Sequence, residues 1–145
     1  SFMFQYSVGN DVYNAQRMFS TQSRLEMQNN LAEVKDRWTA TNASNLVPSA
    51  KGYVAYDVYS RFIEDGSFLR LKNITLGYTI PERLTRKIYV NKLRIYASAN
   101  NLFLLTKYSG FDPEVNMKSS NLMPSFDFGA YPKSKTFTFG VELNF

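Results

Sequence analysis

The sequence contains no cysteine and no histidine among its 145 residues. The absence of cysteine excludes a disulfide framework, a thiol nucleophile and a cysteine-ligated zinc site. The absence of histidine removes the commonest general base and the commonest ligand for transition metals. No carboxylate pair and no serine–lysine or tyrosine arrangement is spaced to replace them. We therefore expect a protein that is not an enzyme, with no catalytic residues, no metal site and no cofactor.

Long apolar runs are also missing, since no stretch approaches the roughly 18–20 apolar residues of a membrane-spanning helix. This excludes a helical span but not a transmembrane barrel, whose strands alternate apolar and polar residues. The net charge is +5, but no cluster of lysine and arginine is dense enough to indicate nucleic acid as a partner. The basic balance is typical of a solvated surface.

Aromatic residues are abundant, with 10 Tyr and 12 Phe, and the last ten residues alternate strictly between apolar and polar or small side chains. Period two is the pattern of a strand with one apolar and one polar face. If the apolar face meets lipid, each large side chain gains about 1.5–3 kcal/mol by leaving water. The polar face then lines a wet lumen, as in an outer-membrane barrel. The apolar positions are Phe137, Phe139, Val141, Leu143 and Phe145.

Three further segments are predicted as strands, and long and short connections alternate between them. Outer-membrane barrels show this asymmetry, with short periplasmic turns and long external loops. The predicted strands are about 1–8, 66–80, 92–105 and 135–145, the external loops 9–65 and 106–134, and the periplasmic turn 81–91. The side chains predicted to face the lumen are Arg94, Tyr96, Ser98, Asn100, Glu142 and Asn144. Because four strands cannot close a barrel, we expect the chain to be part of a larger barrel.

The register of the second strand is open around Asn73. From Ile74 onward the even positions are apolar, but Lys72 continues the same parity. Either Lys72 lies near the membrane rim and extends its ammonium group to water, or a bulge near Asn73 switches the parity. The bulge would turn the two preceding leucines, Leu69 and Leu71, toward the apolar face.

One helix is predicted in the first loop, at 23–38. Ser23 and Glu26 fit a capping box, and apolar residues recur at helical spacing up to Trp38. The pattern favours a small amphipathic helix lying on neighbouring loops. The alternative for Trp38 is a platform on which a sugar stacks.

The second loop carries three acidic residues that offer oxygen ligands, Asp112, Glu114 and Asp127. Their spacing does not match an EF-hand, because Met117 occupies the sixth position where the loop needs glycine. The alternatives are a looser calcium site and a turn made rigid by Pro113.

Several segments resemble one family. Residues 66–78, which read GSFLRLKNITLGY, resemble a block of the SusC/RagA family of TonB-dependent outer-membrane transporters. Other segments resemble, in the same order, its upstream loop, its penultimate strand, its last external loop and its end. These segments are 9–14 and 37–39, 93–96 with 100–103, 107–115, and 131–133 with the terminal Phe-Thr-Phe-Gly run.

The resemblance implies a bacterial outer-membrane protein with a plugged barrel of 22 strands, of which this chain would hold about four C-terminal strands and no plug domain. It implies import of oligosaccharides or peptides together with a SusD-like surface lipoprotein. The import would be driven by TonB–ExbB–ExbD through a missing N-terminal part. It also implies contact with outer-membrane lipid and with the barrel-assembly machinery, which would read the terminal strand. Loop candidates for ligand or partner contact are Trp38, Tyr108, Phe111 and Asp112.

Two other hypotheses remain at this point. In a secreted all-β glycan-binding module, the apolar faces would form a sandwich core. Phe137, Phe139 and Phe145 would then be buried against a second sheet rather than exposed to lipid. Alternatively, the chain could be a barrel fragment held as a client by assembly or secretion machinery.

Overall fold

The computed structural model describes residues 1–21, 29–49, 58–115 and 125–145. They fall into two compact units, each of which is described by itself. The strand unit comprises Ser1–Val8, Ser67–Lys107 and Pro132–Phe145, and the loop unit comprises Gly9–Gly66 and Tyr108–Tyr131. Within the described ranges, no helix is both long and apolar enough to cross a membrane.

Strands dominate the described chain. The strands are β1 (Phe2–Ser7), β2 (Asp11–Asn14), β3 (Ile63–Asp65), β4 (Phe68–Ile80), β5 (Lys92–Thr106), β6 (Phe126–Asp127) and β7 (Thr136–Asn144). The α-helices are α1 (Ala15–Thr21) and α2 (Glu82–Thr85), and 3-10 turns cover Ala32–Asp36, Ser60–Phe62 and Arg86–Ile88.

The strand unit is one antiparallel sheet in the order β1-β4-β5-β7. Its two central strands have 13 and 15 residues, more than the roughly 9–11 that a tilted strand needs to cross a bilayer. The expectation of an antiparallel, nearly all-β segment with little helix is confirmed. Among the described residues, the sheet does not close into a barrel.

The sheet has one apolar and one polar face because the alternation in each strand is kept in register with its neighbours. Ala97 pairs with Leu76 and Phe139, whereas Ser98 pairs with Thr75 and Thr138. Between the bulge and the turn at 81–91, each row across β4, β5 and β7 is therefore uniform in character. A slip of one residue would exchange the two faces.

A bulge switches the parity near Asn73, which decides between the two interpretations of Lys72. On β1, Phe2 pairs with Ile74 and Phe4 with Leu71. Since Phe2 and Phe4 lie on one face, Ile74 and Leu71 share that face although they are three positions apart. Lys72 is the extra residue that the bulge inserts, and the leucines before it join the apolar face.

Side-chain hydrogen bonds hold the bulge. The Asn73 amide donates to Asn100 Oδ1 at 2.8 Å, and the Thr75 hydroxyl donates to Asn73 Oδ1 at 3.1 Å. On β5 the irregularity includes Asn101, whose φ of 52° is the left-handed conformation that asparagine tolerates. The Asn101 amide also donates to the Ser134 carbonyl at 3.1 Å.

The loop unit has its own small sheet, in the order β3-β2-β6, and its own buried core. β2 is antiparallel to β3 and parallel to β6. The core contains Val12, Tyr108 and Val115, with Ala130 packed against it. This long segment is therefore a folded unit rather than irregular chain throughout.

The helix predicted at 23–38 is wrong in its described part. Residues 22–28 lie outside the described residues, and the remainder contains only the 3-10 turn Ala32–Asp36. Leu31 and Trp38 are exposed and only Val34 is buried, so the apolar spacing does not face a core. Among the described residues of this loop, the α-helix is instead α1, whose Ala15 and Met18 are buried.

Candidate functional site

All six side chains predicted to face a lumen belong to the polar parity of the sheet. On β5 these positions pair with polar or small residues of both neighbours, as Asn100 does with Asn73 and Thr136. Arg94 pairs with Glu142, and their Nη1 and Oε2 atoms lie 3.7 Å apart. The full set is Arg94, Tyr96, Ser98, Asn100, Glu142 and Asn144. That this face lines a lumen stays a prediction.

Two glycines shape the polar face. Tyr96 pairs with Gly77 on one side and Gly140 on the other. A Cβ at Gly140 would overlap the Tyr96 ring, and one at Gly77 would lie 3.1 Å from Arg94 Nη2. The glycines therefore make room for the side chains of Tyr96 and Arg94. Sequence reasoning missed this arrangement, although a glycine inside a strand signals the close approach of other atoms.

The apolar face carries the aromatic residues that separate the barrel from the sandwich hypothesis. Phe137, Phe139 and Phe145 are 61%, 80% and 80% exposed. A sandwich core would bury them against a second sheet. In the described chain no such sheet covers them, so the face is free to meet an apolar solvent.

In the loop unit, Arg17 joins two acidic residues. Its Nε and Nη2 donate to Glu33 at 3.1 and 2.8 Å, and its Nη1 donates to Glu64 at 3.1 Å. The hydrogen bond to Glu33 is the main cause that raises the pKa of Arg17. The Arg17 hydrogen bond in turn lowers the pKa of Glu33.

Glu64 is the acceptor on which several segments converge. Ser109 donates to it through its N–H at 2.9 Å and its hydroxyl at 2.8 Å, and the Asn14 amide donates at 3.2 Å. Burial alone would raise the pKa of Glu64, but the hydrogen bonds from Ser109, Arg17 and Asn14 outweigh it and the pKa is lowered. The network ties β2, α1, β3 and the chain after Tyr108 together.

Tyr108 and Asp112, two of the loop candidates, lie inside the unit. They are 5% and 3% exposed. The Tyr108 hydroxyl donates to Asp127 Oδ2 at 2.6 Å, and burial is the main cause that raises its pKa. Asp112 Oδ1 accepts the Glu114 N–H at 2.9 Å. Both side chains act in the fold of the loop, and sequence alone could not separate this from ligand contact.

Phe111 and Trp38 are the loop candidates that reach the surface, at 68% and 46% exposure. Phe111 borders a pocket of about 530 Å³. Gln16, Ser20 and Leu31 also line the pocket, and the Gln16 amide donates to the Ser20 hydroxyl at 3.3 Å. The pocket therefore combines hydrogen-bonding groups with a ring, which suits a small polar ligand that has an apolar side.

The acidic residues of the second loop do not gather around one point. Asp127 accepts the N–H groups of Gly129 and Ala130 at 2.9 and 3.0 Å in addition to the Tyr108 hydroxyl. Among the described residues, no group of three acidic side chains is arranged to hold a metal ion. The arrangement favours the rigid-turn interpretation of this segment.

No family model matches the chain, but individual proteins do. TonB-dependent receptor P3 of Formosa agariphila is 34% identical over 151 residues, which cover 98% of this chain and 14% of that protein. TonB-dependent receptor SusC of Bacteroides thetaiotaomicron is 39% identical over 85 residues, which cover 58% of this chain and 8% of SusC.

The fold agrees with solved structures of the same kind. The RagAB peptide importer in its open-open state superposes with a TM-score of 0.82 at 33% identity, covering 99% of this chain and 15% of that one. A structure of the RagAB peptide transporter gives 0.80, also at 33% identity, with 98% and 15% covered. The chain spans about one seventh of the length of the full-length relatives it matches. By sequence and by fold, the chain belongs to the SusC/RagA family of TonB-dependent receptors.

Proposed function

We propose that the chain forms the C-terminal strands of the transmembrane barrel of an outer-membrane, TonB-dependent importer. The observation that carries the proposal is the sheet with one exposed aromatic face and one polar face, in a chain related to SusC and RagAB. In lipid, every backbone group must be paired within the protein. The long antiparallel ladders of β4 and β5 meet that requirement, and the outer edges of β1 and β7 would pair with the rest of a 22-stranded barrel.

In this arrangement the loop unit lies outside the cell and the turn at 81–91 lies in the periplasm. Labelling of single cysteines tests the topology, because the chain has none of its own. In the full-length receptor, Phe111→Cys should react with a membrane-impermeant maleimide on intact cells. Tyr89→Cys should react only after the outer membrane is opened. Equal labelling of both on intact cells would contradict the proposed topology.

The cargo is an oligosaccharide or a peptide, and the partner is a SusD-like surface lipoprotein. Support comes from the relatives, of which RagAB is named a peptide importer. Energy would come from TonB–ExbB–ExbD through a part of the protein that this chain does not contain. A transport role rather than a catalytic one fits relatives that are named receptors.

The exposed aromatic residues of the loop unit, Trp38 and Phe111, are the proposed contacts with the lipoprotein or the cargo. Co-purification of the lipoprotein with the full-length receptor tests this. Trp38→Ala and Phe111→Ala should lower the recovered lipoprotein or the uptake of cargo, whereas Leu46→Ala, another exposed apolar residue of the same unit, should not. Normal recovery and uptake in both aromatic variants would exclude these contacts.

The terminal strand is proposed as the signal for barrel assembly. Its alternating residues Phe137, Phe139, Val141, Leu143 and Phe145 are all exposed on one face, which suits addition at an open sheet edge. Deletion of Phe145 should lower insertion of the full-length receptor into the outer membrane. Insertion at the normal level would contradict the proposal.

A further inference from the structure

The apolar face of the strand sheet contains a depression. Ala97 on β5 pairs with Leu76 on β4 and with Phe139 on β7, so a single methyl group lies between two large side chains. The next row, toward the turn at 81–91, holds Tyr78, Ile95 and Val141. The two rows surround a cavity of about 600 Å³. We call it the Ala97 notch, bordered by Leu76, Tyr78, Ile95, Ala97, Phe139 and Val141.

The notch opens away from the sheet, and its walls are apolar. Leu76 and Tyr78 are exposed on the β4 side, and Phe139 and Val141 on the β7 side. Ile95 is exposed on β5 itself, at the end of the notch toward the turn at 81–91. Across the sheet, the walls on β4 and β7 stand about 9.6 Å apart, and the two rows are about 7 Å apart along β5. A recess with apolar walls above an alanine suits a hydrocarbon chain, which gains by leaving water and needs no hydrogen-bonding partner.

Cations collect at the end of the sheet that lies nearer to the row of Tyr78, Ile95 and Val141. The segment from α2 to the start of β5 carries Arg83, Arg86, Lys87 and Lys92, against one carboxylate, Glu82. All five side chains are exposed. Arg86 Nη2 contacts Glu82 Oε2 at 3.2 Å, which leaves a net positive charge at this end. We call residues 82–92 the basic turn.

The distance between the two features matches one lipid leaflet. Along β5, Ala97 and Lys92 are five residues apart, which is about 17 Å of strand. Half of the hydrocarbon core of a bilayer is about 15 Å thick. Tyr89, which is almost fully exposed, and Tyr78 lie at this end, where interfacial aromatic residues of barrels are found.

We propose that the Ala97 notch and the basic turn together form a binding site for one anionic phospholipid. An acyl chain lies in the notch, and the phosphate lies against the cations of the basic turn. The inference rests on the proposed function, since it requires the apolar face to be in a membrane. It goes further by assigning a lipid class to a place on the barrel. The charge of the turn selects the headgroup, and the shape of the notch holds the chain.

Native mass spectrometry of the full-length receptor in a mild detergent tests the site. The receptor is titrated with phosphatidylglycerol, with phosphatidylcholine of the same acyl chains, and with lipid A. Phosphatidylglycerol should be retained on the order of 10-fold more than phosphatidylcholine, given the contribution expected from two or more cations. Lipid A should not replace it.

Two variants separate the two halves of the site. Ala97→Phe fills the notch and should abolish retention of phosphatidylglycerol, whereas Leu143→Phe adds a similar ring on the same face outside the notch and should leave it unchanged. The double variant Arg83→Gln, Lys87→Gln should remove the preference over phosphatidylcholine. The matched control Lys107→Gln, Lys135→Gln, at the opposite end of the sheet, should keep the preference.

Equal retention of the two phospholipids by the unmodified receptor would overturn the inference, as would preference for lipid A. An effect of Leu143→Phe as large as that of Ala97→Phe would overturn the place of the acyl chain. Fractionation of each variant keeps this separate from the proposed function. A receptor absent from the outer membrane contradicts the barrel, whereas a receptor that inserts and transports without lipid preference contradicts only the lipid site.

Discussion

The strand unit and the loop unit differ in where their large apolar side chains lie: the strand unit exposes them on one face of its sheet, and the loop unit buries several of them. In the strand unit the large apolar residues, such as Phe139 and Leu76, are exposed on one face of a sheet. In the loop unit Val12, Phe62 and Tyr108 are buried, and charged groups such as Arg17 and Glu33 lie nearer the surface.

The difference fits the proposed placement, in which the strand unit faces lipid and the loop unit faces water. The loop unit follows the rule of water-soluble domains, in which burial of apolar area drives folding. The strand unit is held together by the hydrogen bonds of its antiparallel ladders, and its exposed apolar face suits an apolar solvent. Substitutions of the same kind should therefore have different effects in the two units.

The largest effect is expected inside the loop unit, from Asp127→Ala. The substitution removes the acceptor of the Tyr108 hydroxyl and of two backbone N–H groups, which leaves one buried donor and two part-buried donors unpaired. We expect a loss of about 3–5 kcal/mol of loop-unit stability, since each unpaired buried group costs about 1–3 kcal/mol. Hydrogen exchange of the full-length receptor measures it.

The strand unit serves as the internal control for Asp127→Ala. Protection should fall in β2 and β6 and stay unchanged in β4 and β5. Asp36→Ala, at an exposed residue of the same unit, should change neither. Loss of protection in both units would mean that they do not fold separately.

The second prediction inverts the polarity of the strand unit. Phe139→Lys puts a cation on the apolar face, where in lipid it should cost about 2–4 kcal/mol. Thr138→Lys, one residue earlier on the polar face, should cost less than about 1 kcal/mol, since the proposed lumen on this side is wet. Unfolding of the receptor in lipid vesicles measures both. If the two lysine variants lost the same unfolding free energy, the proposal that one face meets lipid and the other meets water would be contradicted.

Sequence alone predicted the antiparallel strands of the strand unit and their two faces, because this information is local. Alternation of apolar and polar residues along a strand defines its two faces, as in Phe137–Phe145. The bulge stayed open because it depends on which residues of β1 and β5 pair with Leu71 and Asn73. That pairing is a property of the sheet rather than of one strand.

The loop unit was less predictable because its core forms between residues distant in sequence. β2 pairs with β6 across more than a hundred positions. The spacing of Leu31, Val34 and Trp38 is that of an amphipathic helix, but of the three only Val34 is buried. For the same reason Tyr108 and Asp112 were candidates for ligand contact although the fold buries them.

The third prediction concerns pH and acts only on the loop unit. The pKa values of Glu33 and Glu64 are lowered in the folded state, chiefly by hydrogen bonds for Glu33 and despite burial for Glu64. A lowered carboxyl pKa stabilises the folded state above the ordinary value of 4.5. The stabilisation is lost as the pH falls below that value through the folded pKa.

The loop unit should therefore loosen below about pH 4.5 while the strand unit does not, because protonated carboxyls release Arg17. A fluorophore on Phe111→Cys reports the loop unit during denaturant unfolding at pH 7 and pH 4. Arg17→Met should weaken the unit at pH 7 by about 1–3 kcal/mol, as for other hydrogen bonds to charged groups, and flatten its acid response. An unchanged acid response in Arg17→Met would separate the response from this network.

The smallest effect on stability is expected at Gly140. There the sign of the change in unfolding free energy shows whether Tyr96 requires the glycine. In a strand without close neighbours, Gly→Ala stabilises by about 0.5–1 kcal/mol. At Gly140 the added methyl group would overlap the Tyr96 ring, so Gly140→Ala should instead destabilise by about 1 kcal/mol, as overpacking does.

Unfolding of the receptor with and without Tyr96→Ala measures the coupling. In the Tyr96→Ala background the same substitution should become neutral or stabilising, because the ring that opposes the methyl group is gone. Destabilisation of the same size in both backgrounds would mean that the strand conformation, and not the aromatic ring, requires glycine at this position.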